Sequence, residues 1–322
     1  MKDQCSRTID YIRISVTDRC NLRCRYCMPE EGVELLSHDD ILTYQEILRI
    51  CEAGSKLGIS KAKITGGEPL VRKGVESLIR DLKKLPGIED VTMTTNGCLL
   101  KEKAQVLKKA GLSSVNVSLD TLDPVRFAEI TRRDAFESVM EGIESAVSAG
   151  LKVKINCAVM EELKKEEVLA FSRFSMERGI PVRFIEMMPI GQGTNYKAMN
   201  NDQLAQILGE AYGELREDRK VKGNGPAVYY TWGDGKGSVG FISALNHKFC
   251  GSCNRVRLTS DGYLKLCLDS ALGVDLKGPL RRGISDEELY SLMEEWIRKK
   301  PESHHFEEKH RKTDLNMNRI GG

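Results

Sequence analysis

No run of apolar residues in this chain approaches the ~20 that a membrane span needs, and the opening stretch, MKDQCSRTIDYIR, holds no apolar signal core. Neither a membrane-embedded protein nor a secreted one is expected. Net charge is almost missing too: 49 basic residues face 47 acidic ones, which leaves +2. A balance that even gathers no nucleic acid and coats no membrane, so neither is an expected partner, and any anionic ligand must be held by a local cluster of bases. Low-complexity tracts and long repeats are also absent. What is present is a chain of 322 residues, 40% hydrophobic and 30% charged. That is room for one large domain, or a large one with a small companion. Ten cysteines in such a chain point to the reducing cytosol, where thiols bind metals or pack in cores.

Short β-rich runs alternate with helical periods. The strand candidates are YIRISVT (11–17), AKIT (62–65), DVTMTT (90–95), SVNVSL (114–119), KVKINCAV (152–159) and VRFIEMM (182–188). Between them lie amphipathic segments such as TYQEILRICEAGSKLG and VESLIRDLKKL, with apolar residues at spacings of three and four. Gly111, Gly150 and Gly179 each close a helical pattern just before a strand. Six such repeats predict right-handed βαβ units on a parallel sheet, either open or closing toward a barrel. The pattern then breaks. Residues 191–201 are polar and loop-like, and 223–240 hold six glycines, as turns between short strands do. Ser285 and Glu288 form a capping box before a helix expected over about 286–300. Residues 301–322 are polar and predict a mobile tail.

Three cysteines, Cys20, Cys24 and Cys27, fall within eight residues just past the first strand, spaced C-x3-C-x2-C with no fourth nearby. Three thiolates hold three irons of a four-iron cluster and leave the fourth iron open. A zinc site completed by Cys5 or His38 is the alternative. Cys250, Cys253 and Cys267 form a second triplet, C-x2-C-x13-C, where His247 makes a Cys3His zinc site equally plausible. Cys5, Cys51, Cys98 and Cys157 are isolated and suit buried or incidental thiols. Gly66 and Gly67 follow a strand, where missing side chains let a ligand approach the backbone. Arg255 and Arg257 are two apart and share one face of a strand, a polydentate grip for phosphate. Arg13 and Lys154 each alternate with apolar neighbours, so on a covered sheet they point inward and need an anionic partner.

The stretch CNLRCRYCMP resembles the radical S-adenosylmethionine (SAM) signature, in which SAM chelates the open iron. With TGGEP, TTNG, SLD, RFIEMMP, CGSCNRVRLT and the terminal IGG, the chain resembles one family throughout: the GTP 3′,8-cyclases that begin molybdenum cofactor biosynthesis. The resemblance implies a partial (βα)6 TIM-type barrel over 5–220, with a small cluster-bearing α+β region over 221–322. It implies two 4Fe-4S clusters, on Cys20, Cys24 and Cys27 and on Cys250, Cys253 and Cys267, and SAM lined by Tyr26, Gly67, Ser118 and Met188. GTP would be held by Arg13, Lys63, Thr94, Lys154, Arg255, Val256 and Arg257. Thr94 and Ser118 rest on the resemblance alone, and Lys63 stands where the family usually has Arg. Gly321 and Gly322 would enter the site and orient the reaction. Implied chemistry is reductive cleavage of SAM, hydrogen abstraction at ribose C3′, and attack of C3′ on guanine C8. Implied partners are a reductant of flavodoxin or ferredoxin type, the next enzyme (cyclic pyranopterin monophosphate synthase) and a possible second copy in a homodimer. Two other functions fit parts of the pattern: a peptide- or protein-modifying radical SAM enzyme with an auxiliary cluster, and a zinc-stabilised binding module for RNA.

Overall fold

A computed structural model of the chain describes residues 1–197, 199–220, 223–306 and 317–321. The six predicted strands form where the pattern placed them: β1 (Tyr11–Ser15), β2 (Lys61–Thr65), β3 (Asp90–Thr95), β4 (Ser114–Ser118), β5 (Lys152–Val159) and β6 (Val182–Glu186). β1 stops two residues early because the chain turns to meet the next loop. Val16 N–H donates to Thr65 O at 2.9 Å, and Gly67 N–H to Thr17 O at 2.7 Å. Gly111, Gly150 and Gly179 take φ of +101°, +74° and +64°, the left-handed turn that ends each preceding helix. Helix Asp286–Arg298 begins at Ser285 with both bonds of its capping box made.

The glycine-rich stretch supplies β8 (Val228–Thr231) and β9 (Val239–Ile242), preceded by β7 (Arg216–Glu217). The end of the chain adds β10 (Arg255–Leu258), β11 (Tyr263–Lys265) and β12 (Gly273–Asp275). All twelve join one sheet, in the order β12-β11-β10-β1-β2-β3-β4-β5-β6-β9-β8-β7. From β10 through β1–β6 to β9 every pairing is parallel. Among the described residues no pairing joins β12 to β7, so the barrel stays open.

Alternation along the strands sorts side chains between two faces. Ile12, Ile14, Ile64, Val91, Val115, Ile155, Phe184 and Val256 are buried in the core beneath the helices. The opposite, concave face carries the polar set. Register then aligns bases from separate strands: Arg13 stands opposite Arg257 on β10 and opposite Lys63 on β2. Neighbouring strands lie ~4.8 Å apart, so three cations share one rung.

The mobile tail expected over 301–322 is held in place where it is described, at 301–306 and 317–321; residues 307–316 and 322 lie outside the described residues. Residues 301–305 run in contact with the core: Lys300 and His304 are buried, and Arg7 donates to the carbonyls of Pro301 and Glu302. Composition misled here, because this segment is held by buried polar bonds and needs no apolar face. Met317–Ile320 forms a final helical turn with Ile320 buried.

Candidate functional site

The concave face opens on a cavity of about 480 Å³. Eight lysine or arginine residues line it, among them Arg13, Lys63, Lys154, Arg255 and Arg257 from the sequence reading. Among the described residues, the only Asp or Glu on that wall is Asp90. Arg183 and Lys300 line it as well and were not foreseen. Arg183 lies between Val182 and Phe184, the same base-among-apolar pattern that singled out Arg13 and Lys154. Its Nε and Nη2, with Thr92 Oγ1 and Asn156 Oδ1 on the same wall, are buried and find no hydrogen-bond partner in the described protein. Buried polar atoms are rarely left so, and this group suits a polar ligand.

The charges are uneasy without one. Burial, then Arg13 and Arg183, lowers Lys63 well below the usual lysine range. Burial, then Arg13 and Arg255, does the same to Arg257. Lys154 falls to about 8, from burial and then Arg183. A polyanion in the cavity would stabilise every one of these cations.

One end of the cavity is the second cysteine triplet: Cys250, Cys253 and Cys267 all line it. Cys250 opens a short 3-10 turn, Cys250–Ser252, and Cys267 follows β11. Burial opposes the Cys253 thiolate, yet Lys300 and Arg255 bring it down to about 7. Arg255 Nη2 donates to Cys253 Sγ at 3.9 Å. His247, the proposed fourth zinc ligand, instead pairs with Asp202 at 3.0 Å on the surface.

The first triplet lies beyond the end of β1. Its loop is pinned by Arg23 and Arg25, whose N–H groups donate to Thr131 and Ile130 at 2.9 Å each. Arg132 adds bonds to the carbonyls of Arg23 and Met28 at 3.1 Å. Burial pushes Cys20 up to about 11 and Cys27 up to about 12, and Cys24 is raised well above a free thiol, by burial and then by Cys27. Three such thiols ionise together only around a metal centre. Among the described residues no three His, Cys, Asp or Glu side chains converge as ligands of a single metal ion.

Beside Cys24 is a small pocket of about 20 Å³, lined by Tyr26, Ser118 and Asp120. Tyr26 Oη donates to Asp120 at 2.6 Å, and the other oxygen of that carboxylate accepts from Ala158 N–H at 2.8 Å. Gly67 lies so close to the first loop that a Cβ there would stand 2.4 Å from Arg19 O. Glu68 is buried and accepts from Leu70 N, Thr95 Oγ1 and Asn96 N.

Other expected residues sit less directly. Met188 lines the large cavity. On β3 the cavity wall is Asp90 and Thr92, and Thr94 is one alternation nearer the strand's C-terminal end. Val256 turns its side chain into the core, so only its backbone faces the cavity side. Gly321, at φ +78°, packs against Thr65 and Ser15, and its carbonyl accepts from Arg257 Nη1 at 2.5 Å. Asn318 Nδ2 donates to Asp18 O at 2.9 Å. The final turn thus lies between the basic cavity and the first triplet. Gly322 is outside the described residues.

Comparison with known proteins adds the following. The family model of the Radical SAM superfamily matches residues 14–175, and that of Molybdenum Cofactor Synthesis C matches residues 180–306. The chain is 43% identical over 323 residues to a GTP 3′,8-cyclase of Clostridium perfringens, and 46% identical over 326 residues to one of Pelotomaculum thermopropionicum. Both alignments span 100% of each chain. Among solved structures, Streptococcus suis SuiB bound to S-adenosylmethionine superposes with a TM-score of 0.61 at 16% identity, over 90% of this chain and 68% of that one. At that identity the likeness concerns the fold.

Proposed function

This chain belongs to the radical SAM GTP 3′,8-cyclases of molybdenum cofactor biosynthesis, and from that premise we propose how its two cysteine triplets and its basic cavity divide the work. The reaction joins ribose C3′ to guanine C8 within one GTP molecule, giving 3′,8-cyclo-7,8-dihydro-GTP. Cys20, Cys24 and Cys27 hold one 4Fe-4S cluster and leave its fourth iron to SAM. Bound there, the cluster would supply the electron for reductive cleavage of SAM. Gly67, by lacking a side chain, lets SAM reach the backbone of its loop; Tyr26 and Ser118 stand beside Cys24 on one side of SAM, and Met188 would meet it from the wall of the large cavity. Asp120 fixes the Tyr26 ring. Cys250, Cys253 and Cys267, at the end of the basic cavity, would hold a second cluster beside the guanine.

Arg13, Lys63 and Arg257, side by side in one rung, grip the triphosphate, with Arg255, Lys154 and Arg183 around them. Charge-assisted bonds of this kind are the strong ones, and holding reacting atoms in place is worth ~7–11 kcal/mol in favourable cases. Lys63 supplies charge without the arginine fork. Thr94 and the Val256 backbone complete the GTP contacts. Gly321, tied to Arg257, lies between the two triplets, and the terminal diglycine, Gly321 and Gly322, would help orient the reaction. The catalytic core spans 5–220 and the cluster-bearing region 221–322. A small cytosolic iron–sulfur or flavin protein is the reductant, and cyclic pyranopterin monophosphate synthase takes the product.

The observation that carries this reading is a wall of eight bases ending in three cysteines. Its test is anaerobic reconstitution with iron and sulfide, then SAM, a strong reductant and each nucleoside triphosphate in turn. 5′-Deoxyadenosine formed with GTP, together with a cyclised nucleotide, supports it. Turnover indifferent to every nucleotide, or driven by a peptide, removes the GTP assignment.

A further inference from the structure

The second triplet is carried by two separate loops, one with Cys250 and Cys253 before β10 and one with Cys267 after β11. We propose that Arg7 and Lys300 are positioning residues for this triplet: together they hold both loops so that its three thiols converge on the end of the substrate cavity. This rests on the reading above that the triplet binds a cluster.

Arg7 is 8% exposed and paired with Asp3 at 2.6 Å. Its Nη1 donates to the carbonyls of Cys250 at 2.9 Å and Glu302 at 2.8 Å. Its Nη2 donates to the carbonyls of Pro301 at 2.7 Å and Lys300 at 3.3 Å. One guanidinium therefore joins a cysteine's own backbone to the segment that follows helix Asp286–Arg298. Lys300 is 2% exposed, lines the cavity with all three cysteines, and donates from Nζ to the carbonyl of Leu266, next to Cys267. Gln4 fastens the same segment, giving its N–H to Arg298 O at 3.0 Å and its Nε2 to Lys300 O at 3.2 Å. His304 Nε2 donates to Ala244 O at 2.7 Å, and His305 N–H to Asp269 at 2.7 Å, two residues past Cys267.

Residues 300–305 thus form a strap between the two thiol loops, with Arg7 as its rivet. Burying an ammonium and a guanidinium is costly unless every donor is used. Here one Arg7 bond reaches the Cys250 carbonyl and the Lys300 ammonium reaches the Leu266 carbonyl, while the rest of the Arg7 fork holds the strap and Asp3, so the two thiol loops are tied to one another. Polar partners of this kind orient metal ligands generally. The Lys300 charge, on the same wall as the thiols, also favours the more negative, reduced state of whatever they hold.

The test uses the reconstituted holoenzyme. Wild-type iron should be about eight per chain, four for each cluster. Lys300→Met should move the second cluster's electron paramagnetic resonance spectrum, lower its reduction potential and raise KM for GTP at least about tenfold, while the spectrum of the first cluster with SAM stays as in the wild type. Lys300→Arg, which keeps charge and donors, should restore most of this. Arg7→Lys keeps the pair with Asp3 but loses the fork to four carbonyls. It should shift the second cluster's spectrum alone, and it decides the question where Lys300→Met does not fold. Unchanged second-cluster spectrum, potential and GTP KM in the folded variants overturn this inference alone. About four irons in the wild type overturn the two-cluster reading, and this inference with it.

Discussion

Replacing Arg257 with alanine tests the rung of bases most sharply. Arg257 stands beside Arg13, which in turn stands beside Lys63, and burial with these neighbours already depresses it. Two charge-assisted bonds to phosphate are worth ~1.5–3 kcal/mol each. Against that loss stands a relief. Like charges ~5 Å apart repel by ~3 kcal/mol at an effective dielectric constant near 20, and the alanine variant sheds that strain in the empty cavity. Taking the middle of that range for the two bonds together, about 4.5 kcal/mol, less the relief of about 3 kcal/mol, the net cost should be about 1.5 kcal/mol, a rise in KM for GTP of roughly tenfold. Arg257 also holds the Gly321 carbonyl, so product per SAM cleaved should fall as well. Arg257→Lys should be intermediate, since it restores charge but not the fork. The assay is the GTP dependence of cyclised product under anaerobic conditions, with 5′-deoxyadenosine measured alongside. A KM within threefold of the wild type, and unchanged coupling, would refute the claim that this rung grips GTP.

Three further outcomes are expected. Gly67→Ala should destabilise the first loop by a few kcal/mol, because its Cβ would meet backbone oxygens of Arg19 and Asp18 at 2.4 and 2.7 Å; thermal melting of the metal-free chain checks this, and an unchanged melt contradicts it. Gly321→Ala puts a Cβ 2.4 Å from Thr65 Oγ1 at a φ of +78°, so it should leave SAM cleavage but lose cyclised product. Glu68 is pushed up to about 7 by burial, above its unfolded value near 4.5. Its folded form therefore holds a proton that the unfolded chain releases between those values. Its contribution is full below pH ~4.5 and falls by about 3 kcal/mol as pH rises through 7. Melts of the metal-free chain against Glu68→Gln across pH 5 to 8 should show the wild type losing ground; parallel curves would contradict it.

Local pattern carried the strands well, because each has an apolar face that must be covered. β3 and β5 begin and end at the residues their alternation indicated. Inward bases were legible by the same logic, and Arg183, between Val182 and Phe184, carries the same signal. The rung of Arg257, Arg13 and Lys63 was not legible. It depends on pairing between β1 and β10, some 240 residues apart in the chain, and no window of sequence contains it. Thr92 lines the cavity, and Thr94, on the same face, stands one alternation beyond it, because depth along a strand is set by where neighbouring strands start. The strap at 300–305 escaped notice for a different reason: polar composition says a segment will not bury apolar surface, not that it will stay loose.

The register of β1 has a consequence for how this protein can fail. A slip of one residue would turn Arg13 into the helical layer and Ile12 and Ile14 onto the concave face, both at once. The burial that makes the fold stable therefore also polices the site. A molecule that has passed the first test has passed the second. In a population of such chains the fraction able to bind nucleotide should equal the fraction folded, and loss of activity on storage should follow loss of metal or of fold rather than gradual scrambling of a folded site.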